Sequence, residues 1–206
     1  MEEEQLKIFD MNKNEIGIAT RDNVHKFGYW HEVFHCWFVS KEEDTHYIHL
    51  QRRSKEKKDY PNLLDITAAG HLLADETVQD GVREIKEELG MDIAYEKLVP
   101  LGEFSYSVKH GNLIDNEFAN IFLYNSEHHL NDFILQAEEV SGMVKARIKD
   151  FEQFWLGKKE KIKITGFVFT KGEKEWMEKY VGRDQFVPHQ DSFYRFIIEK
   201  IKAQLT

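Results

Sequence analysis

The hydrophobic and polar positions along the chain predict short β-strands mixed with helices. Residues 30–40 are the clearest strand, because they are apolar on both faces, which is typical of a strand that is covered on both sides. The two predicted faces carry Val33, Trp37 and Val39, and Phe34, Cys36 and Phe38. Further strands are predicted at residues 6–10, 15–20, 46–53, 64–69, 98–108, 117–124 and 140–146, and the first two of these would form a hairpin.

Helices are predicted at residues 22–27, 77–89, 148–155, 173–180 and 192–204. The helix at residues 77–89 has one apolar face, whose positions are Val78, Val82, Ile85 and Leu89. Thr77 is a suitable N-terminal cap for this helix, and Gly90 supplies its C-terminal break. Gly81 would weaken the helix, so we interpret it as a point of close packing against the sheet.

Strands that are mixed with helices, rather than strictly alternating with them, favour an α/β fold of the α+β type. We expect a mixed β-sheet sandwiched between helices. The 206 residues and the 41% hydrophobic content fit a single domain over residues 1–206. The N-terminal hairpin (residues 1–28) and C-terminal helices (residues 171–206) are predicted as additions to its centre.

The composition limits the partners and the compartment. The chain has 28 basic and 37 acidic residues and a net charge of −9, which disfavours broad contact with a nucleic-acid backbone. A single cysteine, Cys36, excludes an internal disulfide framework and a multi-cysteine zinc site. There is no apolar run of about eighteen residues, and the acidic start is unlike a signal peptide. We therefore expect a cytoplasmic protein that binds neither nucleic acid nor membranes.

Three glutamates are crowded near the end of the predicted 77–89 helix. Positions three and four apart share a helix face, so Glu84 would lie over Glu87 and Glu88. Carboxylates that crowd together repel one another, which is expected where a hard divalent cation binds among their oxygens. Taken alone, the cluster fits a solvated acidic face better, because that is the usual situation of a charge run.

The surrounding residues favour the metal site. The pattern Gly70-x5-Glu76-x6-Arg83-Glu84-Ile85-x-Glu87-Glu88-x-Gly90-Met91 follows a predicted strand and resembles the signature of the Nudix hydrolase superfamily. The part on the helix is complete, whereas the spacing from Glu76 to Arg83 is one residue shorter than in that superfamily. The sequence therefore leaves open whether Glu76 pairs with Arg83, as the corresponding residues do in the superfamily.

This resemblance implies a pyrophosphohydrolase that uses Mg²⁺ or Mn²⁺ and cleaves a diphosphate linked to another moiety, with a nucleoside diphosphate derivative as the expected substrate class. It implies that Arg83 orients the glutamates. The implied metal ligands are Glu84, Glu87, Glu88 and the carbonyl oxygen of Gly70, with Glu117, Glu138 and Glu139 as candidates for a further carboxylate. The chemistry agrees, because divalent ions neutralise a diphosphate and lower the pKa of a bound water molecule.

The flanking residues resemble the type I isopentenyl diphosphate isomerases, which share the Nudix fold. This resemblance is carried by Gln51-Arg52-Arg53-Ser54, Pro61, Thr67-Ala68-Ala69-Gly70-His71 and Asp115-Asn116-Glu117. It implies that the metal-binding histidines and glutamate of those enzymes correspond to His31, His71, Glu117 and, with a spacing one residue shorter, His25. Their catalytic cysteine falls on Ala69, which cannot transfer a proton. The chain thus resembles an isomerase-like branch of the Nudix hydrolases from which isomerase chemistry is absent.

Several other side chains have two interpretations. Arg52 and Arg53 suit substrate phosphates, because a guanidinium group offers several donors at once. His31 and His71 fit a structural or substrate-contacting role as well as metal ligation. A solvated loop is the better interpretation of Lys55, Lys57 and Lys58. Aromatic residues are interpreted mainly as core, namely Phe104, Tyr106 and Phe118 on strands and Trp155, Trp176 and Tyr194 in the C-terminal helices.

Three functions remain open from the sequence. The first is hydrolysis of a diphosphate bond. The second is proton addition and removal on a prenyl diphosphate, against which Ala69 argues. The third is a non-catalytic nucleotide-binding Nudix domain, against which the complete helical motif argues. The expected partner is a small-molecule diphosphate, and a homodimer through the N-terminal hairpin or the C-terminal end is a further hypothesis.

Overall fold

The computed structural model describes residues 4–111 and 113–205. Within these residues, eleven β-strands form one sheet, accompanied by four α-helices. In chain order the elements are β1 (Gln5–Phe9), β2 (Glu15–Thr20), α1 (Arg21–Phe27), β3 (Trp30–Glu42), β4 (Thr45–Arg53), β5 (Leu64–Asp65), β6 (Ala68–His71), α2 (Arg83–Leu89), β7 (Val99–His110), β8 (Leu113–Asn125), β9 (Val140–Arg147), α3 (Ile148–Trp155), β10 (Ile162–Thr170), β11 (Glu173–Val181) and α4 (Asp191–Gln204).

Strand β3 organises the sheet, because β1, β4, β6 and β8 all pair with it. The longest path through the sheet runs β11-β10-β9-β4-β3-β1-β2, while β8 continues from β3 to β7. The β3–β8 pair is parallel, and the other pairs of strands are antiparallel. The sheet is therefore mixed, as the sequence predicts.

Helices cover both faces of this sheet. The predicted alternation along β3 is confirmed, since its odd-numbered apolar residues pack with α3 and α4, whereas its even-numbered apolar residues pack with α2. The first set consists of Val33, Trp37 and Val39, and the second of Phe34, Cys36 and Phe38. Burial of apolar side chains on both sides stabilises the strand that positions the site described below.

Helix α2 begins at Arg83, six residues later than the predicted start at Thr77. The backbone N–H and the hydroxyl of Thr77 both donate to the Asp80 carboxylate, at 2.8 and 2.6 Å, and a 3-10 turn at Asp80–Val82 follows. Close packing at Gly81 is confirmed, because a Cβ there would lie 2.7 Å from the Cβ of Phe34. The predicted break at Gly90 is also confirmed, with a φ of 70°.

The helix predicted at residues 173–180 is wrong, because these residues form β11. The apolar residues Trp176, Met177 and Tyr180 have a spacing that suits a helix, but the segment pairs with β10 in an unbroken register of nine residues. Strand β10 itself was not predicted. The C-terminal helices expected at residues 171–206 are therefore a strand and the single helix α4.

The aromatic residues near the C-terminus are only partly the predicted core. Trp155 and Tyr194 are buried, and their rings stack with centroids 3.5 Å apart. Trp176, by contrast, is 58% exposed on β11, so its assignment to the core is wrong. Phe104 and Phe118 do pack in or against the core, as predicted.

The N-terminal hairpin is present, with β1 and β2 paired antiparallel and α1 directly after them. The single strand predicted at residues 64–69 is instead two strands, because β5 pairs with β4 and β6 pairs with β3. Across residues 4–111 and 113–205, no helix is both long and apolar enough to cross a membrane.

Candidate metal-binding cleft

A cleft of about 670 Å³ opens where α2, β6 and the ends of β3 and β8 meet. Strand β6 lies between two groups of metal-type ligands. One group consists of the carboxylates of α2, which lie against Gly70. The other group contains histidines and begins at the next residue, His71. The backbone of a four-residue strand therefore connects both groups.

The carboxylates of α2 lie directly against the strand backbone. A Cβ built on Gly70 would lie only 2.1 Å from the Cδ of Glu84, so only glycine fits here without displacing that carboxylate. The Glu84 side chain is 12% exposed and Glu88 is 6% exposed, whereas the Glu87 side chain is 53% exposed. Of the three predicted metal ligands, Glu88 is thus buried, Glu84 is largely covered, and Glu87 lies at the mouth of the cleft.

Burial makes the charged forms of Glu84 and Glu88 unfavourable. Burial is the main cause that raises the pKa of Glu84 to about 7. Burial, together with the nearby Glu84 carboxylate, raises the pKa of Glu88 to about 8. A divalent cation would offset this cost, because it supplies positive charge where two carboxylates are held out of water. The donor set therefore fits a hard metal ion.

Arg83 braces the cluster. Its guanidinium group donates to both carboxylate oxygens of Glu76, so the pairing that the sequence left open is present. It also donates to Glu84 at 2.7 Å, to Glu87 at 2.9 Å and to the carbonyl oxygen of His71 at 3.0 Å. The spacing from Glu76 to Arg83 is one residue shorter than in the superfamily, and the segment between them contains the 3-10 turn. A 3-10 turn rises about 2.0 Å per residue against about 1.5 Å in an α-helix, so it spans a given distance with fewer residues.

Glu88 is held by two donors from the sheet. The N–H of Ala69 donates to its Oε2 at 3.1 Å, and Nε2 of Gln51 donates to the same oxygen at 3.3 Å. These bonds fix the position of the carboxylate while it is buried. Ala69 therefore contributes a backbone donor to the site. Its side chain is an inert methyl group, where the isomerases have a cysteine thiol.

The histidine group lies at the second half of the cleft, which His25 and His71 line while His31 is buried behind them. His25 comes from α1, His31 from β3 and His71 from β6, and their ring centroids lie 5.2 to 5.3 Å apart. Ligand atoms from all three residues lie within 4.8 Å of one another. His25 joins this group although it lies one residue closer to His31 in sequence than the corresponding histidines of the isomerases. Gly28, in the αL conformation, ends α1 and turns the chain into β3.

Two carboxylates complete this group. The parallel register of β3 and β8 places Glu117 opposite His31, and Asp115 is on the same face of β8. Oδ1 of Asp115 lies 3.5 Å from Nε2 of His25 and 3.6 Å from Nε2 of His31. These distances are too long for good hydrogen bonds. They suit donors that share one ion, since each ligand lies about 2.0–2.2 Å from a bound metal.

The tautomers of the two innermost histidines suit metal binding. Nδ1 of His25 lies 2.8 Å from the carbonyl oxygen of Arg21, and Nδ1 of His31 lies 3.2 Å from that of Tyr29. Each Nδ1 must carry its proton to make these bonds, so Nε2 of a neutral ring presents a lone pair to the cluster. Burial disfavours the charged ring of His25, but the Asp115 carboxylate raises its pKa, so metal binding there would displace a proton. Nε2 of His31 and Oδ1 of Asp115 are buried and have no hydrogen-bond partner within the described part of the chain. Burial also lowers the pKa of His31 to about 3, which keeps the ring neutral.

Tyr106 extends this row of side chains, because it lies opposite Glu117 in the β7–β8 register. Its hydroxyl donates to Oε2 of Glu117. Burial, with the neighbouring Asp115 carboxylate, raises the pKa of Glu117 well above its usual range. Tyr106 therefore lines the cleft as a polar residue rather than serving only as core.

The cleft also contains a third polar group, centred on Asp65, whose members Asp65 and His189 were not predicted from the sequence. Nη1 of Arg53 donates to Oδ2 of the buried Asp65 at 2.9 Å, and Nε2 of His189 lies 3.0 Å from Oδ1 of the same residue. Burial opposes ionisation of Asp65, but these two partners together hold its pKa well below the usual range. His35 also lines the cleft. His35 could have been predicted from the sequence, because His31, Val33 and His35 alternate along a strand and so lie on one face of it.

The remaining candidates divide between the cleft and other surfaces. Arg53 reaches the cleft, whereas the guanidinium group of Arg52 bonds to Asn62 and does not line it. Glu138 and Glu139 both line the cleft, and Glu139 pairs with Lys57. Cys36 is buried in the core on the α2 side of the sheet, so it does not replace the thiol that Ala69 lacks.

Comparison with known proteins supports the family and the fold. The family model of the NUDIX domain matches residues 30–165. An uncharacterised Nudix hydrolase of Clostridium acetobutylicum is 36% identical over 202 residues, which cover 98% of each chain. An isopentenyl-diphosphate Delta-isomerase of Mycolicibacterium vanbaalenii is 30% identical over 122 residues, which cover 58% of this chain and 65% of the isomerase. A crystal structure from Deinococcus radiodurans has a TM-score of 0.55 at 19% identity, covering 71% of this chain and 85% of that one.

Replacing Gly70 with alanine is expected to weaken divalent-cation binding without removing any ligand, because the new Cβ would displace the Glu84 carboxylate. Calorimetric titration with Mn²⁺ should show an affinity loss of at least about tenfold, as for other changes that misplace a ligand. The control is Gly157→Ala, which introduces backbone strain at a φ of 74° but adds a Cβ that meets nothing within 4 Å. Unchanged Mn²⁺ affinity in folded Gly70→Ala protein would contradict this interpretation.

Proposed function

This chain belongs to the Nudix family and is a hydrolase that acts on phosphoric anhydride bonds, and we propose that it is a Mg²⁺-dependent pyrophosphohydrolase that cleaves a diphosphate linked to another moiety. The observation that carries the proposal is the pair of buried carboxylates, Glu84 and Glu88, held against the backbone of Gly70 and Ala69. Mn²⁺ is an alternative cofactor, because both ions favour oxygen ligands.

Each residue of the cluster has a part in this reaction. A bound divalent ion would neutralise the diphosphate and lower the pKa of a bound water molecule. Glu84, Glu87 and Glu88 would hold that ion, with the carbonyl oxygen of Gly70 as a further ligand. Arg83 keeps Glu84 and Glu87 in position through its hydrogen bonds and stays fixed by Glu76. These roles require no movement of α2, because the brace is already formed.

The rest of the cleft suits an anionic small molecule. Arg21, Arg53, Lys57 and Lys58 line it and bring positive charge to a site whose floor is acidic. A volume of about 670 Å³ lies within the range of about 300–1,000 Å³ that is usual for small-molecule sites. We propose a nucleoside diphosphate derivative as the substrate class, which fits this volume and the arrangement of charge.

We also propose that the group of His25, His31, His71, Asp115 and Glu117 holds a second divalent ion. The supporting observations are the unpartnered Nε2 of His31 and Oδ1 of Asp115, and two triads of ligand atoms that share His31. In each triad, His25–His31–His71 and His31–Asp115–Glu117, the atoms lie within 4.8 Å of one another. Because β6 connects the two groups, a diphosphate in the cleft would contact both. The second group would then bind and orient the part of the substrate that does not react.

The same group favours one alternative function. The histidines and Glu117 match the metal site that the isomerase resemblance implies, and a named isomerase is among the relatives. Ala69 lies beside His35 in the β3–β6 register and lines the cleft, but it offers no group that transfers a proton. Incubation with isopentenyl diphosphate and product analysis separates the two functions, since hydrolysis of its anhydride bond gives isopentenyl phosphate and phosphate, and isomerisation releases neither.

Glu84→Gln and Glu88→Gln should each lower kcat on nucleoside diphosphate derivatives by on the order of 100-fold or more. Each substitution keeps the shape of the side chain and removes the charge that would hold the ion. The assay is ³¹P NMR of a substrate panel with Mg²⁺ in ¹⁸O-labelled water, which also identifies the phosphorus that water attacks. Glu96→Gln, an exposed change outside the cleft, serves as the control. Full turnover by folded Glu88→Gln would refute the assignment, and tight nucleotide binding without turnover by the unmodified protein would favour a binding domain.

His31→Gln should reduce the number of Mn²⁺ ions bound per chain from two to one, because the buried Nε2 is central to the second group. Electron paramagnetic resonance titration counts the bound ions directly. Asp115→Asn provides an independent variant, and His46→Gln on β4 is a control outside the cleft. A single Mn²⁺ in the unmodified protein, or two in folded His31→Gln, would contradict the second site.

A further inference from the structure

Strand β11 forms one end of the sheet and leaves its outer edge open. It pairs with β10 over nine residues, and within the described residues no other strand pairs with it. We propose that this edge pairs antiparallel with the β11 of a second copy of the chain, forming a two-fold symmetric dimer with one continuous sheet. The proposal is independent of the hydrolase activity, because β11 lines no part of the cleft.

The β11 edge lacks two of the features by which proteins prevent strand addition, proline and bulges. A third feature, charged side chains, is present, but both signs occur along β11, so the charges exclude only those partner strands whose charges do not match. Strand β7, whose sole neighbour among the described strands is β8, shows two of these features, namely Pro100 and a register shift between Pro100 and Gly102. The register of β11 against β10 has no shift, and the segment Glu173–Val181 contains no proline. A long and regular edge of this kind is suited to pairing with another strand.

The charges along β11 are self-complementary in one register. When the two-fold axis passes through Trp176, Lys174 faces Glu178 of the second copy. Glu173 then faces Lys179 of the second copy, and symmetry repeats both ion pairs. Opposite charges that face each other across an antiparallel pair stabilise it, and like charges destabilise it. This register therefore contains four ion pairs and no facing like charges.

Neighbouring registers are less favourable. An axis through Glu175 would place the two Glu175 carboxylates opposite each other, and an axis through Glu178 would do the same for that residue. An axis through Met177 avoids like charges, but it keeps only one type of ion pair, between Glu175 and Lys179. The charge pattern thus selects the register with Trp176 on the axis.

The same register would bury exposed aromatic surface. Trp176 is 58% exposed and Tyr180 is 68% exposed, although both belong to a regular strand. Trp176 would meet its own counterpart at the axis, and an aromatic pair across strands adds to the stability of a sheet. The side chains of Lys174 and Glu178 contact Asn131 and Lys163 within one chain, at 2.9 and 2.7 Å. The exposed Glu178–Lys163 pair costs little to rearrange, because exposed ion pairs contribute little to stability. Lys174 also lies over the Phe167 ring, 3.8 Å from its centroid.

The test uses charge reversal and its rescue. Lys174→Glu would face Glu178 of the second copy, and Glu178→Lys would face Lys174, so each single variant should raise the dimer dissociation constant at least tenfold. The double variant Lys174→Glu with Glu178→Lys restores opposite charges and should recover the dimer. Rescue also shows that the single variants did not simply unfold. Sedimentation velocity over a range of concentrations distinguishes 24.5 kDa from twice that mass, about 49 kDa.

Ile18→Glu is the matched control, because Ile18 is 58% exposed on β2 at the other end of the sheet. It should leave the dimer unchanged. An unmodified protein that stays monomeric at every concentration would overturn the proposal. A dimer that resists Lys174→Glu, fails to recover in the double variant, or dissociates through Ile18→Glu would overturn it as well.

Discussion

The structure depends on the close approach of buried carboxylates to the backbone of β6. Gly70 leaves no Cβ between the strand and Glu84, and the N–H of Ala69 anchors Glu88. Two carboxylates in such a position repel each other and lose hydration, so their burial lowers the stability of the fold unless a cation joins them. Arg83 offsets part of this cost, and the remainder is the reason that the site fits a divalent ion.

Strand β3 is the element that brings the two ligand groups together. Its apolar faces hold it at the centre of the sheet, and its neighbours β6 and β8 supply the other ligands. The carboxylates of α2 and the histidine group therefore share one cleft although their residues are distant in sequence. In the function that we propose, one half of the cleft carries out hydrolysis and the other half binds and orients the diphosphate.

The sequence predicts much of this arrangement, for identifiable reasons. The alternation along β3 and the helical spacing of the glutamates are local patterns, and both are confirmed. The helix predicted at residues 173–180 failed because the pairing of β11 with β10 is a non-local contact that outweighs local spacing. Asp65 and His189 were missed because they lie 124 residues apart in sequence. They meet only when the segment before α4 packs against β5. The pairing of Glu76 with Arg83 could not be predicted, since it depends on the path of the turn between them.

The most direct test of this account is the thermal unfolding of the protein with and without Mg²⁺ at two pH values. Because the folded-state pKa values of Glu84 and Glu88, about 7 and about 8, lie above the ordinary value of 4.5, the neutral carboxyl groups contribute fully to stability below about pH 4.5. That contribution is lost progressively as the pH rises from there to about 8. The Tm of the metal-free protein should therefore fall between about pH 5 and about pH 9, and Mg²⁺ should raise Tm much more at pH 9 than at pH 5. A Tm that does not fall with pH, or an effect of Mg²⁺ that is equal at both pH values, would contradict the account.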